Sequence, residues 1–238
     1  MYLKKLIKPS SIFFTLLFLF IFGFTYFQVQ THHWSAEKPF DLTTIYNSLI
    51  VGFGYDQQFR DHPGFTQYFL HGSLYKLFAI FDSDIPKNLE LYLEAENKNY
   101  VIQKLFILSR YLNSLFYFIF FVYFFKLLNF YKIERIYIFL SITFFLTIES
   151  ILYGLIRIRP DIVAILFFLL SYYNLSLYFK KNKISLLFFS GLFLFLSLMT
   201  KIQTVIYLPL IFINLIFNVK KIKNFELDIF KHKFDIKK

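Results

Sequence analysis

Long apolar runs, separated by short basic clusters, constrain this chain more than any other feature. Five of them match or approach the thickness of a bilayer's hydrocarbon core: Ser11–Val29, Leu105–Leu128, Ile136–Leu155, Ile162–Phe179 and Ile184–Met199. A helix rises about 1.5 Å per residue, so about 20 apolar residues cross a core about 30 Å thick. A sixth run, Val205–Val219, needs Ile202–Thr204 to reach across, and Pro209 within it predicts a kinked helix. The chain therefore reads as an all-α, polytopic membrane protein with about six transmembrane helices. Composition agrees, with 57% hydrophobic residues, 37 Phe among 238 residues and a mean hydropathy of +0.53. Cysteine is absent, which excludes disulfides and Cys-ligated metals. The first run is long and lacks a small-residue cleavage site, so it is expected to stay as a helix.

A seventh candidate, Phe65–Phe81, is weakened by Thr66, Gln67, His71, Gly72, Ser73 and Lys76. Charge placement decides its reading. If it does not cross, four basic clusters fall on one side, as the positive-inside rule asks. They are Lys4/Lys5/Lys8, Lys126/Lys132/Arg135, Lys180/Lys181/Lys183 and the tail after Lys220. The segment 30–103, with nine acids and five bases, then lies on the other side. Phe65–Phe81 is accordingly expected as an interfacial helix. This predicts both termini in the cytoplasm and a multi-pass protein of the cytoplasmic (inner) membrane. Residues 1–219 form one transmembrane module with a large extracytoplasmic loop at 30–103. Residues 220–238 form a basic cytoplasmic tail suited to anionic lipid headgroups. The net charge of +11 follows topology rather than a nucleic-acid footprint, so no nucleic-acid partner is expected.

The large loop is a polar, acid-rich island centred on Tyr55–Gly64. It offers Glu37, Asp41, Asp56, Arg60, Asp61 and His62. Two shorter elements on the same side offer Arg157, Arg159 and Asp161, and then Lys201. Carboxylates serve as general bases, while Arg and Lys hold phosphates. Such groups gathered at a lipid surface suit a reaction on a lipid-linked phosphate. Each also has a structural reading. Arg157, Arg159 and Lys201 can snorkel from helix ends. Asp61 can pair with Arg60 or cap the turn at Pro63-Gly64. His62 and His71 lack metal-ligand spacing, so zinc is not expected. Glu149, inside a predicted span, calls for a partner, with Arg157, Arg159 and Lys201 as candidates.

The order of these elements resembles the N-terminal half of the GT-C superfamily of membrane glycosyltransferases. Protein O-mannosyltransferases and aminoarabinose transferases, which use polyprenyl- or dolichyl-phosphate sugars, belong to it. Arg60-Asp61-His62-Pro63-Gly64 is similar to the family's Asp-x-His-Pro segment, with Gly64 in place of a second proline. Arg159-Pro160-Asp161 matches the acid-bearing turn between the third and fourth spans, and Met199-Thr200-Lys201 the Thr-Lys after the fifth. The resemblance implies a catalytic acid soon after the first helix. Asp41 is the counterpart and Glu37 its rival, because Leu42 stands where the family commonly has Glu. Asp61, in the segment that positions the loop, is a further catalytic candidate; His62 and Asp161 would bind substrate, and Arg157, Arg159 and Lys201 would face the lipid phosphate. The family has more spans than this chain, so the resemblance implies a truncated gene product, a split enzyme needing a second chain, or a degenerate copy.

The expected function is transfer of a hexosyl or pentosyl unit from a polyprenyl-phosphate donor to a lipid or glycan acceptor outside the membrane. No cofactor is required; a divalent metal is compatible but has no strong ligand cluster. The alternative is a non-catalytic assembly partner, or a transporter or flippase subunit.

Overall fold

The computed structural model describes residues 9–31, 39–56, 64–86 and 89–218. Every regular element among them is helical. In chain order they are α1 (Pro9–Thr31), α2 (Pro39–Gly52), α3 (Phe65–Phe78), α4 (Leu89–Glu94), α5 (Lys98–Phe130), α6 (Arg135–Thr147), α7 (Glu149–Ile156), α8 (Pro160–Lys181) and α9 (Ile184–Thr200). A 3₁₀ segment (Ile202–Tyr207) then leads into α10 (Leu208–Phe217). Three helices, α1, α5 and α8, are long and apolar enough to cross a membrane.

α5 is the central column. Its 33 residues extend about 50 Å, well beyond a hydrocarbon core. Asn97 starts it by accepting a hydrogen bond from the Tyr100 amide at 3.1 Å. Lys104, in its second turn, reaches both Asp82 and Asp84, at 2.8 and 2.6 Å, and ties the preceding loop to the helix. Further along, α1 docks on α5 through Leu17, Ile21, Phe116 and Phe121, with a Thr25–Ser114 hydroxyl contact beside them. That apolar cluster extends to Ile138 and Ile142 of α6 and to Val163 and Leu166 of α8. A second cluster joins Ile45 and Leu49 of α2, Tyr75 of α3, Leu105 and Phe106 of α5, and Ile158.

Helices α2 and α3 approach unusually closely. A Cβ on Gly52 would lie 2.6 Å from the Gly72 Cα, and one on Gly72 would collide with the Ser48 carbonyl. Only glycine at both positions lets the two backbones touch.

Three local expectations change. The run Ile136–Leu155 is not one helix: Ile148 is extended (φ −72°, ψ 121°) and separates α6 from α7. Glu149 then sits in the first turn of α7, where the helix dipole favours an acid. It is exposed and has no ion pair among the described residues, in place of the expected Arg157, Arg159 or Lys201. Pro209 does not kink a helix; it occupies the first turn of α10, where its missing N–H costs nothing. Finally, Phe65–Phe81 is helical only to Phe78, and it buries Thr66, Gln67, His71 and Tyr75 against neighbouring helices.

Candidate functional site

The site is assembled at the end of the α8–α9 hairpin. Small and hydroxylated residues set the register of that pair. Ser190 Oγ donates to the Ser171 carbonyl at 2.9 Å, and Ser197 Oγ to the Ala164 carbonyl at 2.8 Å. Continuing this register by one turn brings the start of α8 beside the end of α9. There Nζ of Lys201 donates to Oδ1 of Asp161. Two of the residues expected to act together are thus joined.

The α7–α8 connection supplies the arginines. Proline at 160 keeps Arg159 extended (φ −116°, ψ 149°) and occupies the first turn of α8. Arg157, two residues earlier, is also extended (φ −98°, ψ 148°). Asn113 of α5 clamps this connection, its Nδ2 donating to the carbonyls of Gly154 and Arg157, each at 2.8 Å. A Cβ on Gly154, beside it, would displace the Tyr117 hydroxyl. Tyr117 in turn lies within electrostatic reach of Asp161.

Arg157 is only 6% exposed. Its guanidinium lies over the Tyr153 ring, 4.1 Å from the centroid. Its Nε and Nη1 have no hydrogen-bond partner among the described residues. A buried cation with idle donors is expensive for a fold, so an anionic partner is the usual resolution.

Asp41 is wholly buried in the first turn of α2. It stands one turn before Ile45, which shares a core with Ile158, and Arg157 and Arg159 flank Ile158. The α2 acid and the two arginines therefore adjoin the same packed cluster. Helix α3 closes another side. Thr66 Oγ1 donates to the Leu196 carbonyl at 3.3 Å, and Thr200 Oγ1 donates to that same oxygen at 2.7 Å, one residue before Lys201. Next to Thr66, Gln67 and His71 lie one turn apart, wholly buried, with no hydrogen-bond partner among the described residues. Burial pushes the His71 imidazole down to about 3, so it is neutral at ordinary pH.

Glu37, Asp61 and His62 lie outside the described residues. The remaining expected residues lie on four elements: Asp41 on α2, Arg157 and Arg159 in the α7–α8 connection, Asp161 on α8 and Lys201 at the end of α9. The sequence reading does not include Arg110, Asn113 and Tyr117, which follow at steps of three and four on one face of α5. Arg110 is buried, beside the Phe106 ring, and an arginine inside an apolar run was the available signal. Asn113 and Tyr117 carried no such signal, since their roles depend on which backbone packs against them. Among the described residues, no three His, Asp or Glu side chains gather into a metal-sized group. Comparison with protein-family models, curated proteins and solved structures finds no match to this chain.

Proposed function

We propose that this chain is an integral-membrane glycosyltransferase module that uses a polyprenyl-phosphate sugar. In this reading six segments cross the cytoplasmic membrane, both termini are cytoplasmic, and the site opens on the outer face. The observation that carries the proposal is Arg157: buried, held by Asn113 through its own carbonyl, and presenting Nε and Nη1 donors that meet no acceptor among the described residues. Beside it, Arg159 and Lys201 add positive charge, and Asp161 holds Lys201 in place.

The chemistry follows from these placements. Asp41, or Glu37, takes the proton of an acceptor hydroxyl. The freed oxygen attacks the anomeric carbon and forms the new glycosidic bond. The bond from that carbon to the phosphate oxygen breaks, and the phosphate leaves with the electron pair. Arg157, Arg159 and Lys201 stabilise the charge growing on it. Burial of Asp41 keeps bulk water from competing with the acceptor. Asp61 is a further catalytic candidate in this reading, and His62 a substrate-binding one.

The test is transfer of labelled sugar from polyprenyl-phosphate donors in membranes carrying the full chain. Asp41→Asn or Glu37→Gln should lower transfer by at least about a hundredfold, the usual scale for a lost general base. Full activity in both variants would remove the base assignment.

A second reading, a non-catalytic partner or transporter subunit, draws on the exposed Glu149 at the α6–α7 break. An acid on an apolar helix surface suits pairing with a helix of another chain. Under that reading Glu149→Gln is the damaging variant, and Asp41→Asn is silent.

A further inference from the structure

The far end of α8, opposite Asp161, holds a cavity of about 360 Å³ between the last turns of α5 and α8. Lys126, Lys132, Lys180 and Lys181 line it, and no carboxylate does. All four lysines are exposed, and none has an ion pair among the described residues. Two are held over rings instead: Lys126 over Tyr123 at 4.4 Å and Lys180 over Phe130 at 5.4 Å. Lys132 sits in the left-handed region at φ 61°, a conformation that disfavours a lysine. Four like charges around one small cavity repel one another, and the two helix C-termini offset only part of that cost.

The rest of the lining identifies the anion. Phe125, Tyr173 and Leu177 precede the lysines along α5 and α8, so they lie deeper in two helices able to cross a membrane. One wall is thus apolar and points toward hydrocarbon, while the rim is cationic. A soluble anion uses only the rim. An amphiphile with a phosphate head uses both.

We propose that this cavity binds the phosphate headgroup of an anionic membrane phospholipid, with an acyl chain along the Phe125–Tyr173–Leu177 wall. The four lysines neutralise the phosphate, and Asn129 at the rim donates to its oxygens. This site is separate from the Asp161–Lys201 end and does not depend on the glycosyltransferase reading.

Native mass spectrometry of the full chain in mild detergent, titrated with phosphatidylglycerol, tests it. Replacing the cavity lysines together (Lys126→Gln, Lys132→Gln, Lys180→Gln, Lys181→Gln) should weaken binding at least about tenfold, since each lysine near an anionic surface contributes measurably. A charge-matched control (Lys4→Gln, Lys5→Gln, Lys8→Gln, Lys220→Gln) should change it less than about twofold. Asn129→Trp fills the cavity without altering charge and should weaken binding comparably to the cavity set. Arginine at the same four positions should restore it. Equal weakening by the cavity and control sets would overturn the proposal in favour of diffuse attraction. Unchanged affinity in Asn129→Trp would place the lipid elsewhere. Competition by equimolar inorganic phosphate would make the site one for a free anion.

Discussion

The two ends of α8 handle charge in opposite ways. At the N-terminal end, Asp161 and Lys201 pair across the hairpin, and Arg157 is buried with its carbonyl held by the Asn113 side chain. At the C-terminal end, four lysines stand exposed around a cavity with no carboxylate. Charges of the first kind are held in place by the fold, and their geometry is fixed before any ligand arrives. Charges of the second kind keep their freedom and wait for a mobile anion. Pre-organised charge is what stabilises a transition state, whereas loosely held charge suits recruitment of a lipid.

The contrast can be broken most directly at Arg157. Arg157→Met removes a buried cation whose Nε and Nη1 meet no acceptor among the described residues, so thermal stability should hold or rise. Binding of a polyprenyl-phosphate donor should fall by about 2–5 kcal/mol, measured by titration, as for a lost buried charge contact. A fall in stability together with unchanged donor binding would make Arg157 a structural residue. Asn113→Ala comes next. It removes a buried hydrogen bond to the Arg157 carbonyl and a part-buried one to the Gly154 carbonyl, and should cost about 2–3 kcal/mol in denaturant unfolding. The lysine cavity should be untouched by it, so phosphatidylglycerol binding should stay unchanged.

The smallest effect concerns pH. The folded state holds His71 neutral, with its pKa lowered to about 3. The unfolded chain, near 6.5, binds the proton more readily. This contribution is complete above about pH 6.5 and is lost as pH falls from there toward about 3. Lowering the pH from 7.5 to 5.5 should therefore cost about 1 kcal/mol, read as a lower melting temperature. His71→Phe should flatten that dependence. A pH slope that survives the substitution would assign it to other groups.

How much of this was legible beforehand varies by element. α1 and α8 follow from apolar length alone, since a helix in hydrocarbon must satisfy its own backbone and present apolar side chains. The helix expected over Phe65–Phe81 was also readable, although it ends at Phe78. The break at Ile148 was not, because the stretch Thr147-Ile148-Glu149 holds neither glycine nor proline to mark a helix stop. Pro209 misled for a related reason: proline begins helices as readily as it bends them, and only the preceding 3₁₀ segment selects between the two. In the site, Asp161 and Lys201 could be assigned to one side of the molecule from charge placement. That they touch depends on the serine contacts that set the α8–α9 register.

Sequence alone determined that the chain is helical, that long apolar helices dominate it, and which charged residues interrupt them. Periodicity and apolar length are local properties, so they survive without knowledge of the partners. Only the tertiary structure decided that Arg157 is buried with idle donors, that Asn113 grips two carbonyls from a distant turn, and that Gly52 and Gly72 bring two backbones into contact. These depend on contacts between residues 20 to 44 positions apart. Such contacts are set by how side-chain volumes interlock, which no single segment encodes.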